Sequence, residues 1–362
     1  MKIDAFTHFF PKAFWDRMLQ VAPNGRDMHK RVRAIPSIVD LDARFRIMDV
    51  FGDEYQQILT LPSPPIEAFG STKVTTEMAR LGNDGMAELV GKYPDRFPGF
   101  VASLPMNDIE AAVAEARRAI DELGAIGVQV FTNICGRPLY TPPTLPLFDL
   151  MAKYDLPMWM HPARGADFPD YVGEKKSHYE IWWTLGWPYE TSVAMAHMVF
   201  GGLFDRHPGF KLITHHMGGM IPYLEGRVGP GWDQLGTRTS DEDYTAIVKS
   251  MKAKGKRPVD YFRNFYADTA LFGALEATKC GLRFFGVEHC LFASDAPFDP
   301  EGGRAYARYT IEIMDRLDLS PFERQAIYEG NLRRLCRMDL ADVKVSEAAV
   351  NTGPAARSKA HA

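Results

Sequence analysis

The sequence predicts an α/β protein built as a (β/α)8 TIM barrel with a small insertion near its N-terminus. Short runs of apolar and β-branched residues alternate with helix-length segments along most of the chain, which favours parallel βαβ units. Four of these runs end in, or lead into, a residue that can bind a metal, and the active sites of such barrels lie at the C-terminal ends of their strands. A doubly wound sheet is the alternative, but it would usually carry a glycine-rich nucleotide-binding turn after its first strand, and this chain has none.

The first half of the chain supplies four strands. The first begins at Ile3, and residues 10–37, which are polar and aromatic with three prolines, are predicted to form a long loop or small insertion over the barrel mouth. Apolar residues at helical spacing predict a helix that begins at Asp40 and ends at Gly52. The next predicted elements are a strand at 55–61, a helix at 74–93, a strand at 97–102, a helix at 109–123 and a strand at 126–131.

The second half continues the alternation. Its predicted elements are a helix at 145–154, a strand ending at His161, a helix at 189–204, strands at 211–215 and 265–269, a helix at 274–280 and a strand ending at Asp295. The stronger candidates number about eight strands, which is the barrel number. Residues 1–340 are therefore predicted to form one domain. Residues 341–362, which are rich in Ala, Ser and Lys, are predicted to form a flexible tail.

Composition and charge narrow the possible partners and compartment. The net charge of −4 and the pI near 6.2 offer no basic field for nucleic acid, so a nucleic-acid partner is not expected. The chain starts without a signal-peptide pattern and has no apolar run of about 18 residues, so we expect a cytoplasmic protein without a membrane partner. Its four cysteines have no paired spacing and are expected to be reduced.

The candidate metal-binding and catalytic side chains follow predicted strands. They are His8, His161, the neighbouring pair His215 and His216, and Asp295. A His or Asp at the end of one strand is usually a capping or hydrogen-bonded residue, but four such endings in one chain favour a shared divalent-metal site. Because neighbouring residues on a regular strand point to opposite faces, only one of the two adjacent histidines is expected to enter the site.

Short motifs in a specific order resemble a known family. They include Ile3-Asp4 leading to His8, Arg44-Phe45-Arg46, Met160-His161-Pro162, His216-Met217-Gly218-Gly219 and Ala293-Ser294-Asp295-Ala296-Pro297. Over residues 1–338 the chain resembles the amidohydrolase-related metal-dependent decarboxylases, which include aminocarboxymuconate semialdehyde decarboxylase and γ-resorcylate decarboxylase. The resemblance implies that His8, His161 and Asp295 bind Zn²⁺ or Mn²⁺. It also implies that His216, rather than His215, is the catalytic histidine, and that the protein is a homodimer.

The resemblance also implies a substrate-binding arginine on the first helix. Arg44 and Arg46 are both candidates for holding a small-molecule carboxylic acid, and their spacing places them on different helix faces, so one of them is expected to reach the site. Trp187, together with the Trp182-Trp183 pair, is a candidate aromatic wall for a planar substrate. Core packing or a subunit interface is the other interpretation of these tryptophans.

One residue departs from the family pattern. The family usually begins with His-x-His or Glu-x-His, whereas this chain has Phe6-Thr7-His8. Residues two apart on a strand point to the same face, so Phe6 should stand where the first protein ligand is missing. Three ligands are still enough for a catalytic divalent ion, with metal-free operation as the alternative. Asp4, four residues before His8, is expected to have a structural role.

The resemblance implies non-oxidative decarboxylation of a carboxylated aromatic or unsaturated acid. In this chemistry the ion polarises a substrate oxygen, and Asp295 or His216 supplies the proton. A metal-assisted hydrolase of a lactone, ester or carbon–carbon bond in a ring-cleavage product would use the same groups. A non-catalytic relative is a third hypothesis, but four convergent polar groups would then have no physical purpose.

Overall fold

Eight parallel strands close into a barrel in the computed structural model, which describes residues 1–238 and 241–338. The strands are β1 Lys2–His8, β2 Tyr55–Thr60, β3 Gly99–Phe100 continued as Ala102–Ser103, β4 Val128–Phe131, β5 Met158–His161, β6 Leu212–Thr214, β7 Tyr266–Asp268 and β8 Cys290–Leu291. Each strand pairs with the next in chain order. The backbone N–H groups of Ala5 and Asp295 then join β1 to the segment after β8, donating to the carbonyls of Phe292 and Phe6 at 2.9 and 3.2 Å. The predicted barrel is confirmed.

Helices connect the strands. They are α1 Lys12–Val21, α2 Met28–Arg33, α3 Leu41–Met48, α4 Thr72–Lys92, α5 Ile109–Asp121, α6 Leu145–Tyr154, α7 Ile181–Thr184, α8 Gly186–Phe200, α9 Leu203–Arg206, α10 Glu225–Trp232, α11 Thr245–Ala253, α12 Leu275–Phe285, α13 Ala305–Arg316, α14 Pro321–Gln325 and α15 Asn331–Cys336. The helix predicted at 189–204 is two helices, α8 and α9. Gly202 separates them because it adopts a left-handed conformation with φ of 84°, which a continuous helix does not allow. Among the described residues, no helix is both long and apolar enough to cross a membrane.

The segment at 10–37 is more ordered than the sequence suggested. It folds into α1 and α2, followed by a short 3-10 turn at Pro36–Ile38. Phe14 and Met18 lie four residues apart on α1 and are fully buried, so they supply the apolar face that the loop prediction overlooked. Two of the three prolines lie at the starts of helical turns, where proline is tolerated, and so do not interrupt them. The tail predicted at 341–362 lies outside the described residues.

The barrel interior is filled by alternate strand residues. Ile3, Ile58, Val101 and Ile213 pack there around Trp159, and all five side chains are buried. The indole Nε1 of Trp159 donates to the Ala5 carbonyl at 3.0 Å, so the largest interior side chain has its polar atom satisfied. This packed interior supports the layer of polar residues at the C-terminal ends of the strands.

Asp4 has the structural role expected for it. Its carboxylate accepts hydrogen bonds from the Tyr55 hydroxyl at 2.6 Å and the Ser294 backbone N–H at 2.9 Å, and also from the Ser294 hydroxyl. Burial raises the pKa of Asp4 to about 6, although the hydrogen bonds from Ser294 and Tyr55 oppose this shift. These bonds tie β1 to β2 and to the segment that presents Asp295.

We predict that Asp4→Ala lowers the free energy of unfolding by about 3 kcal/mol, because buried donors on Tyr55 and Ser294 lose their acceptor. Urea denaturation followed by circular dichroism measures the loss. Asp4→Asn is the matched control, since it keeps an acceptor oxygen in the same place and should lose clearly less. Equal losses in the two variants would contradict the proposed hydrogen-bonding role.

Candidate active site

Four buried side chains converge at the C-terminal ends of the strands. His8 ends β1, His161 ends β5, His215 follows β6 and Asp295 follows β8. One ligand atom from each residue lies within 4.8 Å of the others. His8 Nε2 is 2.9 Å from Asp295 Oδ1, and His215 Nε2 is 3.2 Å from the same oxygen. The structure therefore brings together His8, His161 and Asp295, the three ligands implied by the resemblance, and adds a fourth residue.

The fourth residue, His215, corrects a prediction. Only one of the two adjacent histidines was expected in the site, with His216 preferred, but both approach Asp295. His216 Nε2 lies 3.7 Å from Asp295 Oδ2. The alternation rule fails because β6 stops at Thr214 and the chain then turns, with φ of 54° at His216 and 52° at Met217. The regular strand assumed in the prediction therefore ends one residue before the pair.

The outer ring nitrogens fix the orientation of the three imidazoles. His215 Nδ1 lies 2.5 Å from Asp268 Oδ2, and His161 Nδ1 lies 2.7 Å from the Pro162 carbonyl, so both nitrogens donate outwards. His8 Nδ1 lies 3.0 Å from Thr60 Oγ1. The Thr60 hydroxyl donates its single proton to the Thr7 carbonyl at 2.9 Å. His8 Nδ1 must therefore be the donor in its contact with Thr60. With Nδ1 as the donor in each ring, all three Nε2 atoms face the centre.

This donor set fits a divalent cation. Three Nε2 atoms and a carboxylate oxygen are the ligands that zinc and manganese take in proteins. Burial opposes a charge on His215, but Asp268 and Asp295 raise the pKa of this imidazole to about 10. Burial likewise raises the pKa of Asp295, but the neighbouring imidazoles of His215, His216 and His8 hold it well below the usual value. The site thus favours positive charge beside an ionised carboxylate.

Phe6 fills the place of the ligand that the family usually has. Its fully buried ring stacks on His215 with 4.1 Å between ring centroids, and it also contacts His8 at 5.4 Å and His161 at 5.8 Å. It therefore faces the same side as His8, as the strand alternation predicts. An apolar ring packs against the imidazoles where a ligand was expected, while His215 brings the number of candidate ligands to four.

A cavity of about 240 Å³ opens beside this group. Its lining is mostly apolar and aromatic and consists of Met28, Arg31, Trp183, Thr184, Trp187, Pro188, His216, Gly219, Ala270, Leu271, Phe272, Asp295, Phe298 and Tyr306. The Trp187 ring lies 5.3 Å from the His161 ring, so this predicted aromatic wall stands next to the candidate metal group. A planar apolar ring suits such a lining.

His216 is the candidate proton carrier among these residues. It lines the cavity, and its Nδ1 has no hydrogen-bond partner among the residues that the structure describes. Its backbone N–H donates to Asp268 Oδ1 at 3.0 Å, which fixes the turn after β6. Burial lowers the pKa of His216, and charge on His215 lowers it further. A neutral imidazole with a free nitrogen at the cavity wall can exchange a proton with a bound molecule.

Neither arginine predicted to bind substrate lines the cavity. Arg44 is buried behind β1, where it donates to the Ser37 carbonyl at 3.0 Å and to the His8 carbonyl, and Arg46 is exposed. The arginine that lines the cavity is Arg31, on α2. The Arg31 guanidinium carbon lies 4.7 Å from the centroid of the Trp183 ring. Sequence reasoning missed Arg31 because it treated residues 10–37 as a loop. The helical spacing of Met28 and Val32, both buried on α2, was the signal that could have found it.

Comparisons with known proteins identify the family of this chain. Residues 3–337 match the family model described as amidohydrolase. A γ-resorcylate decarboxylase from Polaromonas sp. strain JS666 is 31% identical over 312 residues, which cover 82% of this chain and 87% of that protein. A 2-amino-3-carboxymuconate-6-semialdehyde decarboxylase from Dictyostelium discoideum is 29% identical over 314 residues, 82% of each chain.

A solved structure extends the comparison to the fold and the metal. The dihydroxybenzoic acid decarboxylase from Polaromonas sp. JS666, with bound manganese and the inhibitor 2-nitroresorcinol, matches with a TM-score of 0.73 and 27% identity. The match covers 93% of this chain and 96% of that one. These relatives are decarboxylases, and one of them holds manganese and a small aromatic inhibitor. The family resemblance of the sequence motifs is confirmed, and with a match over residues 3–337 the chain belongs to the amidohydrolase family.

Proposed function

We propose that this protein is a metal-dependent, non-oxidative decarboxylase of a small aromatic carboxylic acid. One observation carries the proposal: three histidines and an aspartate converge at the wall of an apolar, aromatic cavity that also contains an arginine. The decarboxylases among the relatives support the same reaction class. Because fold alone does not determine chemistry, the proposal depends on the residues in the site.

The candidate ligands are His8, His161, His215 and Asp295, and the ion is Zn²⁺ or Mn²⁺. The manganese in the Polaromonas structure supports the second choice. When bound, such an ion supplies Lewis acidity to a substrate oxygen. Hydrogen bonds to Asp268, Thr60 and the Pro162 carbonyl hold the three imidazoles in fixed orientations.

We assign the delivery of the proton in this reaction to His216. Decarboxylation breaks the bond between the ring carbon and the carboxylate, CO₂ leaves, and the ring carbon gains a proton in its place. His216 lines the cavity with an unpartnered nitrogen, whereas Asp295 is kept ionised by the histidines around it. His216 therefore delivers or relays the proton, and Asp295 acts as a ligand.

We assign to Arg31 the binding of an acidic oxygen of the substrate. Its guanidinium donates to the Phe298 carbonyl at 2.8 Å and lies over the Phe298 ring at 5.1 Å, so its position in the cavity wall is fixed. Trp187 and Phe272 offer further aromatic surface for a planar ring. A guanidinium among aromatic rings binds a carboxylate or phenolate strongly because little water competes for it.

The quaternary structure and the compartment follow as parts of this proposal. Large apolar side chains are exposed in two segments, at 171–189 and 220–223. The second segment is tied to the helix that ends the first, because the Met220 backbone N–H donates to Ser192 Oγ at 2.8 Å. The exposed residues are Tyr171, Val172, Tyr179, Leu185, Tyr189, Met220 and Tyr223. A second copy of the chain covering this surface would form the homodimer.

The unpaired cysteines fit a cytoplasmic enzyme, and the net charge of −4 fits the absence of a nucleic-acid partner.

We predict opposite phenotypes for the two adjacent histidines. His215→Ala should lose most of the bound metal, because an inward-facing Nε2 is removed. His216→Ala should keep the metal and lose at least about 100-fold in kcat, because the proton carrier is removed. Elemental mass spectrometry and CO₂ release from a panel of hydroxybenzoates measure the two effects. Metal loss in His216→Ala with retention in His215→Ala would reverse the assignment, and wild-type hydrolysis of a lactone or ester without CO₂ release would favour the hydrolase.

We predict that Arg31→Met raises KM for the aromatic acid by about 10-fold or more, because a charge-assisted hydrogen bond of about 1.5–3 kcal/mol is lost. Steady-state kinetics of CO₂ release measure this effect. Arg46→Met is the matched control and should leave KM unchanged, since Arg46 is exposed and does not line the cavity. The assignment of Arg31 fails if the two variants have the same KM.

We predict that the wild type sediments at twice the chain mass of 40.7 kDa and that Tyr179→Glu combined with Tyr223→Glu sediments as a monomer. Charges buried against a second copy would disfavour association. Analytical ultracentrifugation measures the mass. Val50→Glu serves as the control, because Val50 is 59% exposed but lies outside the proposed surface. A monomeric wild type would contradict the homodimer.

A further inference from the structure

A second cavity, of about 460 Å³, lies beside the active-site cavity. It is lined by parts of four segments, at 26–29, 63–68, 133–136 and 163–168, together with Trp182. Three of these segments follow β2, β4 and β5, so the second cavity is at the same end of the barrel as the candidate metal group. Among the residues that the structure describes, Met28 alone lines both cavities.

Three residues that line the second cavity have a buried side-chain atom without a hydrogen-bond partner among the described residues: His29, Arg164 and Glu67. Glu67 is the acidic one. It lies in the 3-10 turn Ile66–Phe69, is only 6% exposed, and has no hydrogen-bond partner for Oε1 among the described residues. No ion pair joins it to a cation in the described part of the chain. Burial raises the pKa of Glu67 to about 7. A buried carboxylate oxygen without a partner is costly unless a donor from outside the chain meets it.

The other charges around the second cavity favour a cation as that donor. Arg164 is neutralised by Glu190, whose Oε1 lies 2.9 Å from its Nη1. Among the described residues lining the cavity, Asp27 and Asp167 add acidic groups, and Arg26 is the remaining arginine. Carboxyl groups therefore outnumber free guanidinium groups at this site, and a positively charged ligand is favoured.

Aromatic side chains supply the apolar part of the same site. Phe168 and Trp182 both line the second cavity. Aromatic rings attract cations through their faces and also pack against apolar groups. A ligand with a charged nitrogen at one end and a small apolar group at the other therefore matches the lining.

We propose that the second cavity binds a small organic ammonium ion, with its N–H groups donating to Glu67 and its apolar part packed against Phe168 and Trp182. This ligand is distinct from the aromatic acid of the proposed reaction, because none of the candidate metal ligands lines the second cavity. The two sites are nevertheless in contact. Met28 lines both cavities, and the Trp182 ring of the second cavity lies 5.8 Å from the Trp187 ring of the first.

Calorimetric titration of the full-length protein with benzylammonium tests this inference. We expect saturable binding of one equivalent, with affinity at least about 10-fold weaker in Glu67→Gln, because a charge-assisted hydrogen bond is replaced by a neutral one. Glu54→Gln is the control, since the Glu54 side chain is 74% exposed, and it should bind as the wild type does. Benzyl alcohol, which has the same ring without the charge, should bind far more weakly.

A second variant tests the same cavity independently, so that misfolding of Glu67→Gln cannot decide the outcome. Ala68 lines the second cavity and is itself exposed, so Ala68→Phe should block binding while leaving the thermal denaturation curve unchanged. No saturable binding by the wild type, unchanged binding in Glu67→Gln, or equal affinity for benzyl alcohol would each overturn the inference. The titration requires no catalytic turnover, so its outcome is independent of whether the protein is a decarboxylase.

Discussion

The convergence of three imidazole Nε2 atoms on the carboxylate of Asp295 is the constraint on which this structure depends. Bringing these groups out of water and close together is unfavourable unless each is oriented and a cation satisfies them together. The orientation comes from hydrogen bonds to Asp268, Thr60 and the Pro162 carbonyl. The barrel provides the proximity, because parallel strands deliver their terminal residues to one edge.

The position of Phe6 shows how the site tolerates the loss of a family ligand. The ring is fully buried and stacks on His215, so it closes the interior side of the group without adding a polar atom. His215 enters because β6 ends at Thr214 and the chain turns through left-handed conformations at His216 and Met217. The same turn leaves His216 at the cavity wall. One irregular strand end therefore supplies both a candidate ligand and a candidate proton carrier.

The strands and their terminal residues could be predicted because β-branched runs alternating with helical segments repeat along the chain. His8, His161 and Asp295 are at strand ends, and the structure brings them together. His215 could not be placed by alternation, because that rule applies only within a regular strand. The spacing of Met28 and Val32 could have predicted α2, but the position of Arg31 in the cavity wall depends on how that helix packs over the barrel mouth. Arg44 shows the converse: its spacing was correctly helical, but its side chain is buried behind β1 and donates to the His8 carbonyl.

Anomalous diffraction from a manganese-loaded crystal would test the metal assignment most directly. We expect one manganese peak within bonding distance of Nε2 of His8, His161 and His215 and of a carboxylate oxygen of Asp295, with the Phe6 ring still stacked on His215. A peak coordinated by His216 in place of His215, or no peak within this group, would contradict the four-residue metal site on which the proposed decarboxylation depends.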